Sequence, residues 1–160
     1  MMDRIKVLFL CTGNACRSQM AEALLKHLGQ GRFDAHSAGS HPAGYLHPLA
    51  TETLTAMHVG FADQYSKSWD VYAGTEFSAI ITLCDAAASE PCPTWPGTPV
   101  RAHWSTPDPV ALHGSDEERS RQARQVAEHL RSRIKALVAL DVVSLSADRL
   151  RDTLERSGQS

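Results

Sequence analysis

Near its start the chain reads Val7-Leu8-Phe9-Leu10-Cys11-Thr12-Gly13-Asn14-Ala15-Cys16-Arg17-Ser18. The four apolar residues before Cys11 predict a buried strand, and apolar residues spaced four apart predict a helix over about residues 18–28. A loop between a strand and a helix N-terminus directs backbone N–H groups and the positive end of the helix dipole to one point. The sequence therefore predicts an anion-binding loop.

Three side chains of this segment point to chemistry on an oxyanion. Cys11 lies in a field that favours the thiolate, so we expect its pKa to lie below the value of about 8.5 of a free cysteine. Arg17 carries a planar guanidinium that can bind two oxygens of a tetrahedral anion, and Ser18 is placed to donate its hydroxyl to the Cys11 sulfur. The alternative is that Cys11 is a small buried core residue without a catalytic role.

Length, charge and cysteine content restrict the class of protein. The chain has 160 residues, enough for one domain with a core, and its 16 basic and 18 acidic residues give a net charge of −2, which does not favour nucleic acid binding. It has no apolar run of the ~20 residues that a membrane span needs and no signal-peptide pattern, so we expect a cytoplasmic protein that does not bind membranes. In that reducing compartment the four cysteines favour catalysis or redox chemistry over structural disulfides.

The rest of the chain alternates strand and helix patterns. Short buried strands are predicted over 33–38, 79–83 and 100–104, with a helix that begins at Pro48 and a long helix capped by Ser115 and Glu118. Such alternation predicts an α/β fold with a parallel sheet covered on both faces. Ligands of these sheets bind at the carboxyl ends of the strands.

Two further residues, Cys84 and Asp108, follow predicted strands and so fall at that edge. Cys84 ends the third strand much as Cys11 ends the first, and Cys92 lies eight positions later in a proline-rich segment. The two thiols could meet each other, or Cys84 could reach Cys11; alternatively, one is a core residue and the other incidental. Asp108, held between two prolines, suits a general acid, although a turn aspartate is common beside proline. The cysteine spacing lacks CxxC pairs, so we expect no metal.

Five ordered segments carry a family resemblance, namely CTGNACRSQMAEA, HSAGSHPAG, Tyr65-Ser66-Lys67-Ser68-Trp69, CDAAASEPCPTWPG and HWSTPDP. Over about residues 4–139 the chain resembles thioredoxin-coupled arsenate reductases of the low-molecular-weight protein tyrosine phosphatase superfamily. The resemblance implies a flavodoxin-like, three-layer α/β/α fold with a four-stranded parallel sheet. We expect a catalytic domain over residues 1–141 and a C-terminal helical extension over 142–160 packed on it.

The resemblance also implies roles for the residues noted above. Cys11 is the nucleophile, Ser18 supports its thiolate and Asp108 is the general acid. Cys84 and Cys92 match the redox pair of the reductases, so that a Cys11–Cys84 disulfide passes to Cys84–Cys92 and an external dithiol, thioredoxin or glutaredoxin, reduces it. We expect a monomer without a cofactor. The oxyanion-binding residues are Thr12, Gly13, Asn14, Ala15, Cys16 and Arg17.

Two other functions remain open at this stage. A phosphatase would hydrolyse phosphate esters through a phosphocysteine on Cys11, but this chain has Pro109-Val110-Ala111-Leu112 where such enzymes place tyrosines. A redox sensor would bridge Cys11 and Cys16. Lys67 is a departure, since relatives that bind potassium near the loop carry an acidic residue there. We expect the lysine ammonium to replace that cation, and hence no potassium requirement.

Overall fold

The computed structural model describes residues 4–84, 95–97, 99–111, 113–139 and 155. Two short 3₁₀ helices, Trp69–Tyr72 and Pro109–Ala111, accompany the main elements. The strands are β1 (Ile5–Cys11), β2 (Phe33–Gly39), β3 (Ala79–Thr82) and β4 (Val100–His103), and the helices are α1 (Arg17–Gly29), α2 (Pro48–Ala56) and α3 (Asp116–Val138).

The four strands form one parallel sheet in the order β2-β1-β3-β4. Cys11 pairs with Gly39, and Leu10 pairs with Thr82. The central position of β1 explains its nearly continuous burial, because a strand in a parallel sheet has both faces covered. The predicted α/β class and four-stranded parallel sheet are confirmed.

The two faces of the sheet are covered differently. Val7 and Phe9 belong to a core cluster that includes the buried sides of α1, α2 and α3, whereas Leu8 and Leu10 face the other side. In the part of the chain that the structure describes, that second side is covered by aromatic residues, which are Trp69, Tyr72, Phe77 and Trp95. Both faces of β1, the strand that ends at Cys11, are therefore covered by packed side chains.

Local signals place the helix starts close to their predicted positions. The Ser115 hydroxyl accepts a hydrogen bond from the Glu118 N–H at 3.2 Å, which confirms the predicted cap of α3. Pro48 is the first residue of α2, and His47 caps that helix by accepting from the Leu49 N–H at 3.1 Å. Helix α1 begins at Arg17, one residue before its predicted start.

Two predictions fall where the structure gives no description. The expected extension over 142–160, apart from Glu155, and the predicted redox residue Cys92 lie outside the described residues. Among the helices in the described ranges, none combines the length and apolar character of a membrane span.

Candidate active site

The loop between β1 and α1 surrounds a cavity of about 170 Å³ at the carboxyl edge of the sheet. Drug-sized ligands occupy pockets from about 300 Å³ upward, so this cavity suits a small anion. Loop residues, the segment after β2 and the segment after β4 contribute to its wall. The lining residues are Cys11, Gly13, Asn14, Ala15, Cys16, Arg17, Ala43, Tyr45, His47, Asp108 and Val110.

Hydrogen bonds from residues 41–47, a segment that also lines part of the cavity, hold the backbone of the loop. The carbonyl oxygens of Thr12, Gly13 and Ala15 accept hydrogen bonds, each at 2.9 Å, from N–H groups of that segment, which are those of His41, Ala43 and His47. In a planar trans peptide the next N–H points opposite to the carbonyl. The N–H groups of Gly13, Asn14 and Cys16 are therefore directed away from this segment, as an anion-binding loop requires.

Gly39 allows β2 to lie close to the loop. A Cβ atom on Gly39 would overlap the Thr12 carbonyl oxygen, and it would lie 3.0 Å from the Cys11 carbonyl oxygen and 3.1 Å from the Asn14 Cβ. Backbone atoms cannot move aside as a flexible side chain does. The loop conformation therefore requires a residue without a side chain at position 39.

Gly39→Ala is expected to lower the free energy of unfolding by about 1–3 kcal/mol, because overpacking forces the backbone to shift. It should also weaken phosphate binding, since the shift falls on the loop. Urea unfolding and calorimetric titration with phosphate measure the two effects. Gly60→Ala is the matched control, because a Cβ there meets no atom within 4 Å. Equal effects of the two substitutions would contradict the prediction.

Cys11 is buried, with 2 % of its surface exposed, and its Sγ lies 2.8 Å from the Ser18 Oγ. Burial raises the pKa of Cys11, whereas hydrogen bonds from the Ser18 hydroxyl, the Ser18 and Asn14 backbone and the charge of Arg17 lower it. The net direction is upward, so the expectation of a lowered pKa is wrong for this conformation. The physical reason is that the loop closes over the sulfur and removes it from water.

Cys16 is a second buried thiol of the loop. Burial, with smaller contributions from the charges of Asp108 and Cys11, raises the pKa of Cys16 to about 12. Cys16 therefore remains a protonated thiol at neutral pH. In a redox sensor that joins these two residues, Cys11 would therefore have to supply the reactive thiolate.

Arg17 and Asp108 face each other across the cavity. Arg17 Nη2 lies 3.5 Å from Asp108 Oδ2, and Arg17 Nη1 donates to the Thr106 carbonyl at 3.1 Å. The other carboxylate oxygen of Asp108 accepts from the Val110 N–H at 3.0 Å. An anion that binds Arg17 would compete with this carboxylate for the guanidinium. Both side chains line the same cavity and lie within reach of one bound anion.

Cys84 lies directly beside Cys11. The two side chains form a small buried cluster of their own, and neither sulfur is part of a disulfide. The Thr12 Oγ1 lies 3.4 Å from the Cys84 Sγ, although the two residues are 72 positions apart. β1 and β3 are neighbours in the sheet, which brings the residues that follow them together.

Sequence reasoning missed part of the wall and the support behind it. Tyr45, His47 and Val110 line the cavity but come from irregular segments without a spacing signal. Gln19 was also missed, although its Nε2 donates to the Asn14 side chain at 3.0 Å. In the sequence it is one polar residue of a helix, and no motif distinguishes it. Within the described ranges, no three His, Cys, Asp or Glu side chains group so that they could hold a metal ion.

Comparisons with known proteins agree with this geometry. Residues 6–150 match the family of the low molecular weight phosphotyrosine protein phosphatase. A protein of Halalkalibacterium halodurans named arsenate reductase is 36 % identical over 135 residues, which cover 84 % of this chain and 95 % of that protein. An arsenate reductase of Shouchella clausii is 35 % identical over 134 residues, with the same two coverages.

The structural comparison gives the same result. A solved structure described as an arsenate reductase in the phosphate-binding state superposes with a TM-score of 0.69 at 26 % identity, covering 84 % of this chain and 97 % of that one. Sequence, fold and the arrangement around Cys11 thus agree. The chain belongs to the low molecular weight phosphotyrosine protein phosphatase family.

Proposed function

We propose that this protein is an arsenate reductase that uses Cys11 as its nucleophile. The observation that carries the proposal is the contact between the Cys11 and Cys84 side chains, with Cys11 in the wall of an anion-sized cavity. A hydrolase needs one thiol there, whereas a two-electron reduction needs a second thiol within reach of the first. The relatives named arsenate reductase support the same conclusion.

The first step forms a covalent adduct on Cys11. Arsenate binds to the loop and to Arg17, and it accepts the proton of the Cys11 thiol. The Cys11 Sγ then bonds to arsenic while a hydroxyl group of the arsenate accepts a proton from the Asp108 carboxyl group and leaves as water, so that one sulfur–arsenic bond forms and one arsenic–oxygen bond breaks. Burial raises the pKa of Cys11, and the hydrogen bond from Ser18, which stabilises the thiolate, offsets part of that increase.

The second step reduces arsenic. The Cys84 Sγ bonds to the Cys11 Sγ, the sulfur–arsenic bond breaks, and its electron pair converts As(V) to As(III), which leaves as arsenite. Cys92 then attacks Cys84, which frees Cys11 and leaves a Cys84–Cys92 disulfide. Thioredoxin or glutaredoxin of the cytoplasm is the proposed external dithiol.

Hydrolysis of aryl phosphates is a second candidate activity, since the family name and the arrangement of Cys11, Arg17 and Asp108 both suit it. Phosphate on Cys11 would be released by water and would not involve Cys84. We propose it as a side reaction, because it gives no role to the buried Cys84 thiol.

A single turnover without any reductase partner tests the proposal. Fully reduced protein mixed with arsenate is expected to release about one arsenite and lose about two thiols per chain, since one disulfide supplies two electrons. Arsenite is measured by chromatography, thiols by titration, and the disulfide by peptide mapping, with Cys84–Cys92 as the expected product. Phosphate in place of arsenate is the control and should leave all thiols intact.

Two outcomes would contradict the proposal. One is the absence of arsenite while an aryl phosphate is hydrolysed readily, which would indicate a phosphatase. The other is a disulfide between Cys11 and Cys16 formed without arsenite, which would indicate a redox sensor.

A further inference from the structure

Arg119 of α3 contacts the short segment that follows Asp108. Its Nη2 donates to the Val110 carbonyl at 3.3 Å, and its Nε is buried without a hydrogen-bond partner among the residues that the structure describes. A buried N–H group without an acceptor costs stability. Arg119 is also the fourth residue of α3, where a cation opposes the positive end of the helix dipole. Stability alone therefore does not explain an arginine at this position.

The turn after Asp108 is held by three hydrogen bonds. The Asp108 backbone carbonyl accepts from the Ala111 N–H at 3.2 Å, and the Asp108 Oδ1 accepts from the Val110 N–H at 3.0 Å. Arg119 supplies the third bond, at the Val110 carbonyl. That carbonyl and the Ala111 N–H belong to one planar peptide group. Arg119 and the Asp108 backbone thus hold this peptide group from opposite sides and fix the orientation of Val110.

The orientation of Val110 determines which oxygen of Asp108 faces the anion-binding cavity. The Val110 N–H occupies Oδ1, and Oδ2 lies 3.5 Å from Arg17 Nη2. A protonated carboxyl group has one carbonyl oxygen, which accepts, and one hydroxyl, which donates. Because Oδ1 accepts from Val110, the hydrogen of the acid form lies on Oδ2, on the side of Arg17.

Without the bond to Val110 the carboxyl group would lose this orientation. The Asp108 side chain is 34 % exposed, so water is available to either oxygen once the Val110 N–H turns away. Rotation of the carboxyl group would then place the hydrogen of the acid form away from the cavity as often as toward it.

We propose that Arg119 is a positioning residue for Asp108: its guanidinium holds the Val110 carbonyl, and the turn so fixed keeps Asp108 Oδ1 on the Val110 N–H and Oδ2 toward the cavity. The inference rests on the proposed function in that Asp108 is taken as the general acid. Arg119 acts through Val110 and does not itself touch the reacting atoms.

The test compares two aryl phosphates that differ in their need for an acid. Phenyl phosphate has a basic leaving group that requires a proton, whereas 2,4-dinitrophenyl phosphate releases a stable anion. In Arg119→Met we expect kcat/KM to fall about tenfold for phenyl phosphate and to stay within about twofold for 2,4-dinitrophenyl phosphate, because a misplaced acid loses only the proton transfer. Arsenite release in a single turnover should also slow about tenfold, since an arsenate oxygen leaves with a proton.

A merely structural role would lower the melting temperature and reduce both kcat/KM values together. Arg119→Met is expected to keep the parental melting temperature, because methionine retains the apolar stem and removes the unpartnered buried Nε. Arg119→Lys retains a donor for the Val110 carbonyl and should restore most of the phenyl phosphate hydrolysis. If Arg119→Met does not fold, the shorter and uncharged Arg119→Gln provides the same comparison.

Arg124→Met is the matched control, since it removes a guanidinium from the same helix at an exposed pair with Glu128. It should leave both kcat/KM values unchanged.

Asp108→Asn separates this inference from the proposed function. It should slow phenyl phosphate hydrolysis far more than 2,4-dinitrophenyl phosphate hydrolysis, and the double variant with Arg119→Met should be no slower than Asp108→Asn alone, since Arg119 acts through Asp108. Equal losses on both substrates in Asp108→Asn would contradict the role of Asp108 as the acid. A protein that makes no arsenite but shows the leaving-group difference in Arg119→Met would contradict the proposed reduction and still support the role of Arg119.

Three results would overturn the inference while leaving Asp108 as the acid. They are an unchanged phenyl phosphate rate in Arg119→Met, an equal loss on both aryl phosphates in that variant, and effects of Asp108→Asn and Arg119→Met that multiply.

Discussion

Cys84→Ser is expected to lower arsenite formation at least about a thousandfold while hydrolysis of an aryl phosphate continues, because a hydroxyl cannot take the place of a thiolate in disulfide exchange. Cys84 packs against Cys11, and both residues are buried, so no other described thiol stands in that position. The oxyanion-binding loop and the Arg17–Asp108 pair do not depend on the Cys84 sulfur. The substitution therefore separates reduction from hydrolysis.

The measurement compares arsenite release with p-nitrophenyl phosphate hydrolysis in the same preparation. Aryl phosphate hydrolysis by the Cys84→Ser preparation is the internal control, since it uses Cys11 and Arg17 without the Cys84 sulfur. It should continue at most of the parental rate. Arsenite formation by Cys84→Ser at the parental rate would show that another electron donor reaches Cys11, and the proposed relay would then be wrong.

Arg17→Lys is expected to lower kcat/KM for arsenate reduction and for aryl phosphate hydrolysis alike, by about 10²–10³-fold. Both reactions place negative charge on oxygens in the cavity that Arg17 lines. A guanidinium binds two such oxygens at fixed spacing, whereas an ammonium is a compact charge without that geometry. The lysine would also lose the fixed hydrogen bond to the Thr106 carbonyl that orients Arg17.

Steady-state kinetics with both substrates test this prediction. Arg124→Lys is the control, since Arg124 forms an exposed pair with Glu128 on α3. It should leave both activities unchanged. An Arg17→Lys enzyme that retains the parental kcat/KM for either substrate would contradict the prediction, because the guanidinium would then add nothing to the stabilisation of that transition state.

In the proposed mechanism, Asp108 and the bound anion compete for Arg17. Without an anion, the Asp108 carboxylate faces Arg17 at 3.5 Å. In that mechanism the arriving anion takes the place of Asp108 at Arg17, which leaves the Asp108 carboxyl group beside the bound oxygens.

Local features of this molecule followed from the sequence. The apolar run before Cys11 is a buried strand, and Asn14 takes the left-handed conformation expected of an asparagine in this loop, with φ of 47°. Ser115 caps α3 as its spacing to Glu118 predicts. Each of these local features depends on residues within a single turn or strand. There the spacing of apolar residues and the hydrogen bonds of nearby side chains determine the backbone conformation.

The sequence alone determined that Cys11 ends a strand, that an anion-binding loop follows it, and that the fold is a parallel α/β sheet. The tertiary structure decided which distant residues meet there: Cys84 against Cys11, and Lys67 near Glu22. These contacts depend on strand order and on the path of the 41–67 segment, which no local pattern encodes. The tertiary structure also decided that the pKa of Cys11 is raised. The burial of its sulfur depends on all the segments packed around it, and the effect of burial on the pKa exceeds the opposite effect of the loop and of Arg17.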